Sequence, residues 1–146
     1  MRIATGDDVV DASVVVKWFA FEDLRDQALI ILDDIGRLQA PDFIFAEVSN
    51  VVWKKCMRGE LSRTSAVTAI LATQHFIKIT HPSQALCERA MEIAFALNHP
   101  VYDCLYLACA ENVEGILVTA DARLCATARA NAFGERVRHL SEVIAE

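Results

Sequence analysis

A chain of 146 residues has the length of one domain and can bury a real core. Its apolar fraction of 54% exceeds the ordinary range for soluble domains, leaving a surplus for a thick core, a subunit interface or a partner site. The net charge of −6 argues against a protein that coats nucleic acid by bulk electrostatics; an enzyme gripping a phosphodiester through metal ions, or one with a basic protein partner, stays compatible.

In chain order, residues 1–8 are polar and read as a loose lead-in, with Asp7 and Asp8 solvated. Val9 and Val10 read as the end of a short buried strand finishing at Asp11. Residues 22–37 have the spacing of an amphipathic helix, with Leu24, Ala28, Ile31, Leu32 and Ile35 on one face. Pro41 lies near the start of a second helix running to about Arg58, with Gly59 as its stop. Residues 62–75 predict a third helix, IKIT at 77–80 a strand, and 83–97 another helix. Pro100 bounds a helix over about 101–113. Gly115 introduces GILVTA, the clearest strand in the sequence. A helix over about 122–131 and a last strand in VRHL follow. Short strands alternating with helices predict an α/β fold with a mainly parallel sheet in a single domain. Such sheets bind ligands beyond the carboxyl ends of their strands, where Asp11 and Asp121 fall.

No apolar run reaches the length of a membrane span and no signal-type segment opens the sequence, which predicts a soluble cytoplasmic protein. The five cysteines (Cys56, Cys87, Cys104, Cys109 and Cys125) form no C-x-x-C pair and read as buried reduced thiols.

Four acids interrupt or end stretches that otherwise read as core: Asp11, Glu47, Asp103 and Asp121. Asp11 and Asp121 each follow a strand and precede a helix, so helix capping competes with a functional role. Asp11-x-Ser13 and Thr119-x-Asp121 both place a hydroxyl two residues from the acid, where it can hold a carboxylate or a bound water. Glu47 reads as mid-helix among Phe43, Ile44, Val48, Val51 and Val52, with Asn50 a turn on; an ion pair to Lys54 is the structural alternative. Asp103 lies in the first turn of a helix apolar nearly all round, where the dipole favours an anion.

Like charges ~4 Å apart repel by about 4 kcal/mol at an effective dielectric near 20, so clustered carboxylates protonate or bind a cation. An all-oxygen set favours Mg²⁺ or Mn²⁺. Of the histidines, His75, His81, His99 and His139, only His99 lies near one of these acids in sequence, and it reads as a loop residue. Lys17 and Arg123 are candidates for phosphate contacts, with idle surface cations as the alternative. Trp18 reads as core rather than as a base-stacking platform.

Three blocks taken together resemble the PIN-domain ribonucleases, and within them the VapC-like toxins of type II toxin–antitoxin pairs. VVDASVVVKWF is similar to the family's first strand and turn, APDFIFAEVSNVVWKKCMRGELS to its glutamate helix, and HPVYDCLYLACAENVEGILVTADARL to its third and fourth acidic motifs. The stretch MRIATGDD ahead of VVD is a longer lead-in than the family usually has. The resemblance implies a three-layer α/β/α sandwich with an acidic pocket at the sheet's carboxyl edge, and Mg²⁺- or Mn²⁺-dependent endonuclease action on RNA. By motif it implies Asp11 and Asp103 as direct metal ligands, Glu47 and Asp121 completing the set, and Ser13 and Thr119 as supports. It also implies a homodimer and inhibition by a cognate VapB-like antitoxin, often through a basic side chain in the pocket.

Other functions fit less well. A phosphoacceptor receiver domain needs an acid pair ending its first strand and a lysine near its end, yet Asp7 and Asp8 precede the strand and no lysine follows Lys78. A D-x-D phosphatase is disfavoured by Ser13. A catalytically silent PIN-like scaffold that only binds a partner has no evident need for all four acids.

Overall fold

Strands of only three or four residues can be central in a sheet if both faces are covered, and this chain uses five of them. The computed structural model describes residues 8–32 and 37–144. The strands are β1 (Asp8–Val10), β2 (Gln39–Pro41), β3 (Ile79–His81), β4 (Ile116–Thr119) and β5 (Val137–His139). All pairings are parallel, in the order β3-β2-β1-β4-β5. Val9 lies opposite Leu117 and Val10 opposite Val118, and none of the four is exposed. A central parallel strand apolar on both faces is what two flanking helical layers demand.

The described helices are α1 (Ala12–Val15), α2 (Arg25–Leu32), α3 (Ile44–Met57), α4 (Arg63–Phe76), α5 (Ser83–Leu97), α6 (Val101–Asn112) and α7 (Ala122–Ala130). The chain steps from β1 to β2 to β3 in one direction, then returns through β4 to β5 in the other. Right-handed crossovers therefore put α1–α4 on one face and α5–α7 on the opposite face. The expected α/β/α sandwich is the architecture found, with a sheet that is wholly parallel. Among the described residues, no helix is long and apolar enough to cross a membrane.

Local chemistry sets the boundaries that matter for the site. Ser62 caps α4 by accepting the Ser65 N–H. Gly59, at φ 75°, ends the turn after α3 where a side chain is strained. Asn98 takes the left-handed conformation after α5 (φ 50°), and Pro100 precedes α6. That tight reversal, from Asn98 to Val101, delivers Asp103 to the sheet edge.

Several expectations need correction. Asp8 is buried in β1, not solvated, because β4 pairs with it across Ile116. The helix expected over 22–37 is described only as Arg25–Leu32, with Leu24 in a left-handed turn before it (φ 66°). Ile35 and Asp7 lie outside the described residues. Pro41 lies three residues ahead of α3. It closes β2, where Ala40 and Pro41 pair with Thr80 and His81, and α3 begins at Ile44. Cys87 is exposed and Cys56 half-buried, although all five thiols are free and Cys104, Cys109 and Cys125 are buried. Trp18 is core, with its indole N–H on the Ala28 carbonyl and its ring edge-on to Phe76.

Candidate functional site

β1 and β4 are neighbours whose following segments leave in opposite directions, so the crevice beyond their carboxyl ends is the sheet's switch point. Asp11 is the first residue beyond β1, while Ala120 and Asp121 follow β4. The first turns of α3 and α6 carry Glu47 and Asp103 to the same crevice. Two strand ends and two helix starts thus converge. The correction at Pro41 matters here: with α3 starting at Ile44, Glu47 is a first-turn residue rather than a mid-helix one.

Asp11 is held most tightly. Ser13 Oγ donates to its Oδ1 and Thr119 Oγ1 to its Oδ2, each at 2.5 Å, and the Val14 N–H reaches Oδ1 at 3.3 Å. A carboxylate only accepts, so each hydroxyl spends its one proton on Asp11. Their lone pairs then take N–H groups of the β4–α7 turn: Ala120 N–H donates to Ser13 Oγ (2.9 Å) and Asp121 N–H to Thr119 Oγ1 (3.1 Å). Both hydroxyls serve Asp11, and the turn carrying Asp121 is fastened to them. Burial nonetheless pushes the Asp11 carboxyl up to about 6, with Ser13 and Thr119 pulling against it and the charge of Asp103 adding to the rise.

Glu47 is half-buried. The Tyr106 hydroxyl, on a fully buried ring of α6, donates to its Oε1 at 3.0 Å. Burial pushes Glu47 up to about 7, the Tyr106 bond opposing and Asp11 and Asp103 reinforcing. Among the described residues, no lysine or arginine forms an ion pair with any of the four acids. Tyr106→Phe removes the hydroxyl donor and is expected to cost about 1–2 kcal/mol. Urea denaturation should show the full loss at pH 8, where Glu47 is ionised, and less at pH 5.5, where it is protonated.

Asp103 is the member shared by every grouping. It acts electrostatically on both Asp11 and Glu47. Its Oδ2 accepts from His99 Nε2 at 2.7 Å. Ligand atoms of His99, Asp103 and Asp121 lie within 4.8 Å of one another. Asp103 is also less buried than its apolar helix suggested, at 32% side-chain exposure, so it faces the crevice rather than the core. Asp121 caps α7 by accepting the Leu124 N–H at 3.0 Å, and Asp11 caps α1 in the same way through Val14. Capping and convergence coexist at both residues, since a carboxylate oxygen has two lone pairs.

Carboxylate oxygens converging with no lysine or arginine paired to them among the described residues, one of them oriented by an imidazole N–H, fit a divalent ion. A groove of about 540 Å³ opens from these acids, lined by Ser13, Glu47, Asp103 and Ala120 and, farther along α3, by Lys54, Lys55 and Arg58.

A family model for the PIN domain matches residues 9–130. The chain belongs to the PIN-domain family. Among proteins similar to this PIN chain is Ribonuclease VapC3 of Pyrobaculum aerophilum, 30% identical over 118 residues, which are 80% of this chain and 90% of that protein. Ribonuclease VapC1 of Mycobacterium tuberculosis is 32% identical over 120 residues, 81% of this chain and 88% of that one. The crystal structure of PAE2754 from Pyrobaculum aerophilum superposes with a TM-score of 0.71, covering 94% of this chain and 93% of that one. At 19% identity, that likeness speaks to fold alone.

Two contributors stand beside the four acids, one of which the sequence had pointed to. His99 does lie in a loop, yet it is buried and its ring turns onto Asp103; the four-residue spacing was the available signal. Tyr106 gave none, since a tyrosine in an apolar helix looks like any core residue. Lys17 pairs with Glu22 at 3.2 Å, and Arg123 is exposed on α7.

Proposed function

We propose that this chain is a metal-dependent endoribonuclease and the toxin of a toxin–antitoxin pair. The observation that carries the proposal is the buried Asp11 carboxylate at the β1/β4 crevice, beside Asp103 and Glu47, with no lysine or arginine among the described residues paired to them. Uncompensated buried charge is costly, and a sequence keeps such a cluster where a cation or a reaction uses it.

In this scheme Asp11 and Asp103 hold the ion directly, and Glu47 and Asp121 complete the acidic set. Ser13 and Thr119 lock Asp11 in one rotamer with its free lone pairs toward the crevice. His99 orients Asp103 from behind. Mg²⁺ or Mn²⁺ suits the carboxylates, and such an ion supplies a water of lowered pKa and charge stabilisation at the phosphoryl group. Tyr106 fixes Glu47 beside them. The protein acts in the cytoplasm as a homodimer and is restrained by a basic VapB-like antitoxin, matched to the −6 charge.

The test is cleavage of total cellular RNA by the purified chain. Cuts at discrete sites, abolished by EDTA and restored by Mg²⁺ or Mn²⁺, are expected. Cleavage indifferent to EDTA, or intact RNA under every metal condition, refutes the proposal.

A further inference from the structure

The groove beside the acids carries a second electrostatic feature. Glu47, Asn50, Lys54 and Arg58 follow one another at helical spacing along α3, so a single stripe passes from acid to base. At 1.5 Å per residue, Lys54 lies about 10 Å and Arg58 about 16 Å along the helix axis from Glu47. Lys17, on the turn just after α1, joins this basic end from the other wall. A chain of net charge −6 has thus gathered four cations along the groove that its metal-binding acids open into.

Three of these cations are not free: Arg58 pairs with Glu60 at 3.3 Å, and two lysines share one carboxylate. Glu22 takes Lys55 Nζ on Oε2 at 2.8 Å and Lys17 Nζ on Oε1 at 3.2 Å, one lysine on each oxygen. Both lysine side chains are 12% exposed, drawn in around a carboxylate that is 29% exposed. Burial alone raises the proton affinity of Glu22, but the two lysines outweigh it and hold the group below its usual range, so it is ionised. Glu22 itself belongs to no helix or strand. It sits between the turn at Val16–Trp18 and α2, next to Phe21, which is 93% exposed. Its side chain can therefore leave without unravelling an element. Lys55 keeps a second partner in Glu60 at 3.6 Å.

We propose that Glu22 occupies a phosphate subsite in the free protein, and that a backbone phosphate of bound RNA displaces it to reach Lys17 and Lys55. Two ammonium groups bracketing one anion, one per oxygen, is an arrangement a phosphodiester reproduces. The subsite positions RNA by its backbone, so it is independent of base sequence. Glu22 acts as a built-in competitor that weakens the grip on RNA. The inference rests on RNA being the substrate.

The test is binding of a mixed-sequence single-stranded RNA oligonucleotide, followed by fluorescence anisotropy over a salt series, in an Asp103→Asn background that prevents cleavage. Glu22→Gln is expected to tighten binding about 3- to 10-fold. It should also steepen the log affinity against log salt slope by up to about 0.7, because the parent takes up a cation at the released Glu22. Lys17→Gln and Lys55→Gln should each weaken binding several-fold and flatten the slope by about 0.7. In Glu22→Gln/Lys55→Gln the gain should vanish. If Glu22→Gln only lowers the thermal midpoint and leaves RNA affinity unchanged, the pairing is structural and the inference fails alone. If the parent binds no RNA, the ribonuclease proposal fails and takes this one with it.

Discussion

Asp103→Asn is expected to lower RNA cleavage by at least about 100-fold with an unfolding midpoint close to the parent's. Asp103 is the one acid electrostatically linked to Asp11 and Glu47 and grouped with His99 and Asp121. Asparagine keeps the shape and an acceptor for His99 Nε2 while removing the charge. The residue is part-exposed, so the fold loses little. Asp121→Asn is the informative companion. Asparagine caps a helix about as well as aspartate, so the Leu124 contact survives and any loss of cleavage measures the charge alone. A smaller loss than at Asp103 is expected, because one Asp121 oxygen already serves the cap. Gel-based cleavage rates with circular dichroism melts for both variants decide the matter; an active Asp103→Asn enzyme sinks the assigned metal centre.

The second large effect is on stability. In EDTA the folding free energy should fall as pH rises from about 5 to 7.5. Asp11 moves from 3.8 to about 6 on folding and Glu47 from 4.5 to about 7. Both shifts are upward, so between those values the folded state binds more protons than the unfolded one. The stability they contribute is fully present below the unfolded values and is lost as pH rises through the folded ones. Glu22, Asp42 and Glu111 shift downward, so their contribution is lost only on acidification through lower pH, outside this window. At 1.36 kcal/mol per unit, the whole Asp11 shift is worth about 3 kcal/mol, roughly half of it above pH 5; Glu47, nearer solvent, adds less than its shift suggests. Saturating Mg²⁺ or Mn²⁺ should cancel the slope, with about 2.7 kcal/mol gained at 100 times the dissociation constant. Urea titrations at several pH values, with and without metal, measure both. Asp11→Asn should flatten the slope below about pH 6 and leave the Glu47 part above it; a flat profile in the parent, or an equal metal gain in Asp11→Asn, contradicts the assigned origin.

What the sequence disclosed follows from how local each feature is. The helix expected over 83–97 is found as Ser83–Leu97, since Pro82 and Pro100 bracket an amphipathic run. Strand β4 was legible for the same reason, an apolar run entered by a glycine. Strand β2 was not: three residues ending in proline become a strand only through pairing with β1 and β3. That omission displaced the start of α3 and put Glu47 in the wrong turn. The four acids were legible because charge inside apolar segments is anomalous whatever the fold. Ser13 and Thr119 were expected as supports, but their joint hold on Asp11, like that of Tyr106 on Glu47, was not. Ser13 sits beside Asp11 in sequence, but Thr119 reaches Asp11 from 108 residues away, and Tyr106 reaches Glu47 from 59. The start of α5 is similar: Asp42 accepts both the N–H and the hydroxyl of Ser83, 41 residues on.

That 108-residue closure bears on the order of events during synthesis. Translation delivers β1 and Asp11 well before β4 and Thr119. A nascent chain that has not yet released Thr119 from the ribosome has no second donor for Asp11 and no wall for the crevice. Long-range closure is slow and late in folding. The crevice is therefore assembled only when β4 docks on β1, and no earlier local contact can complete it.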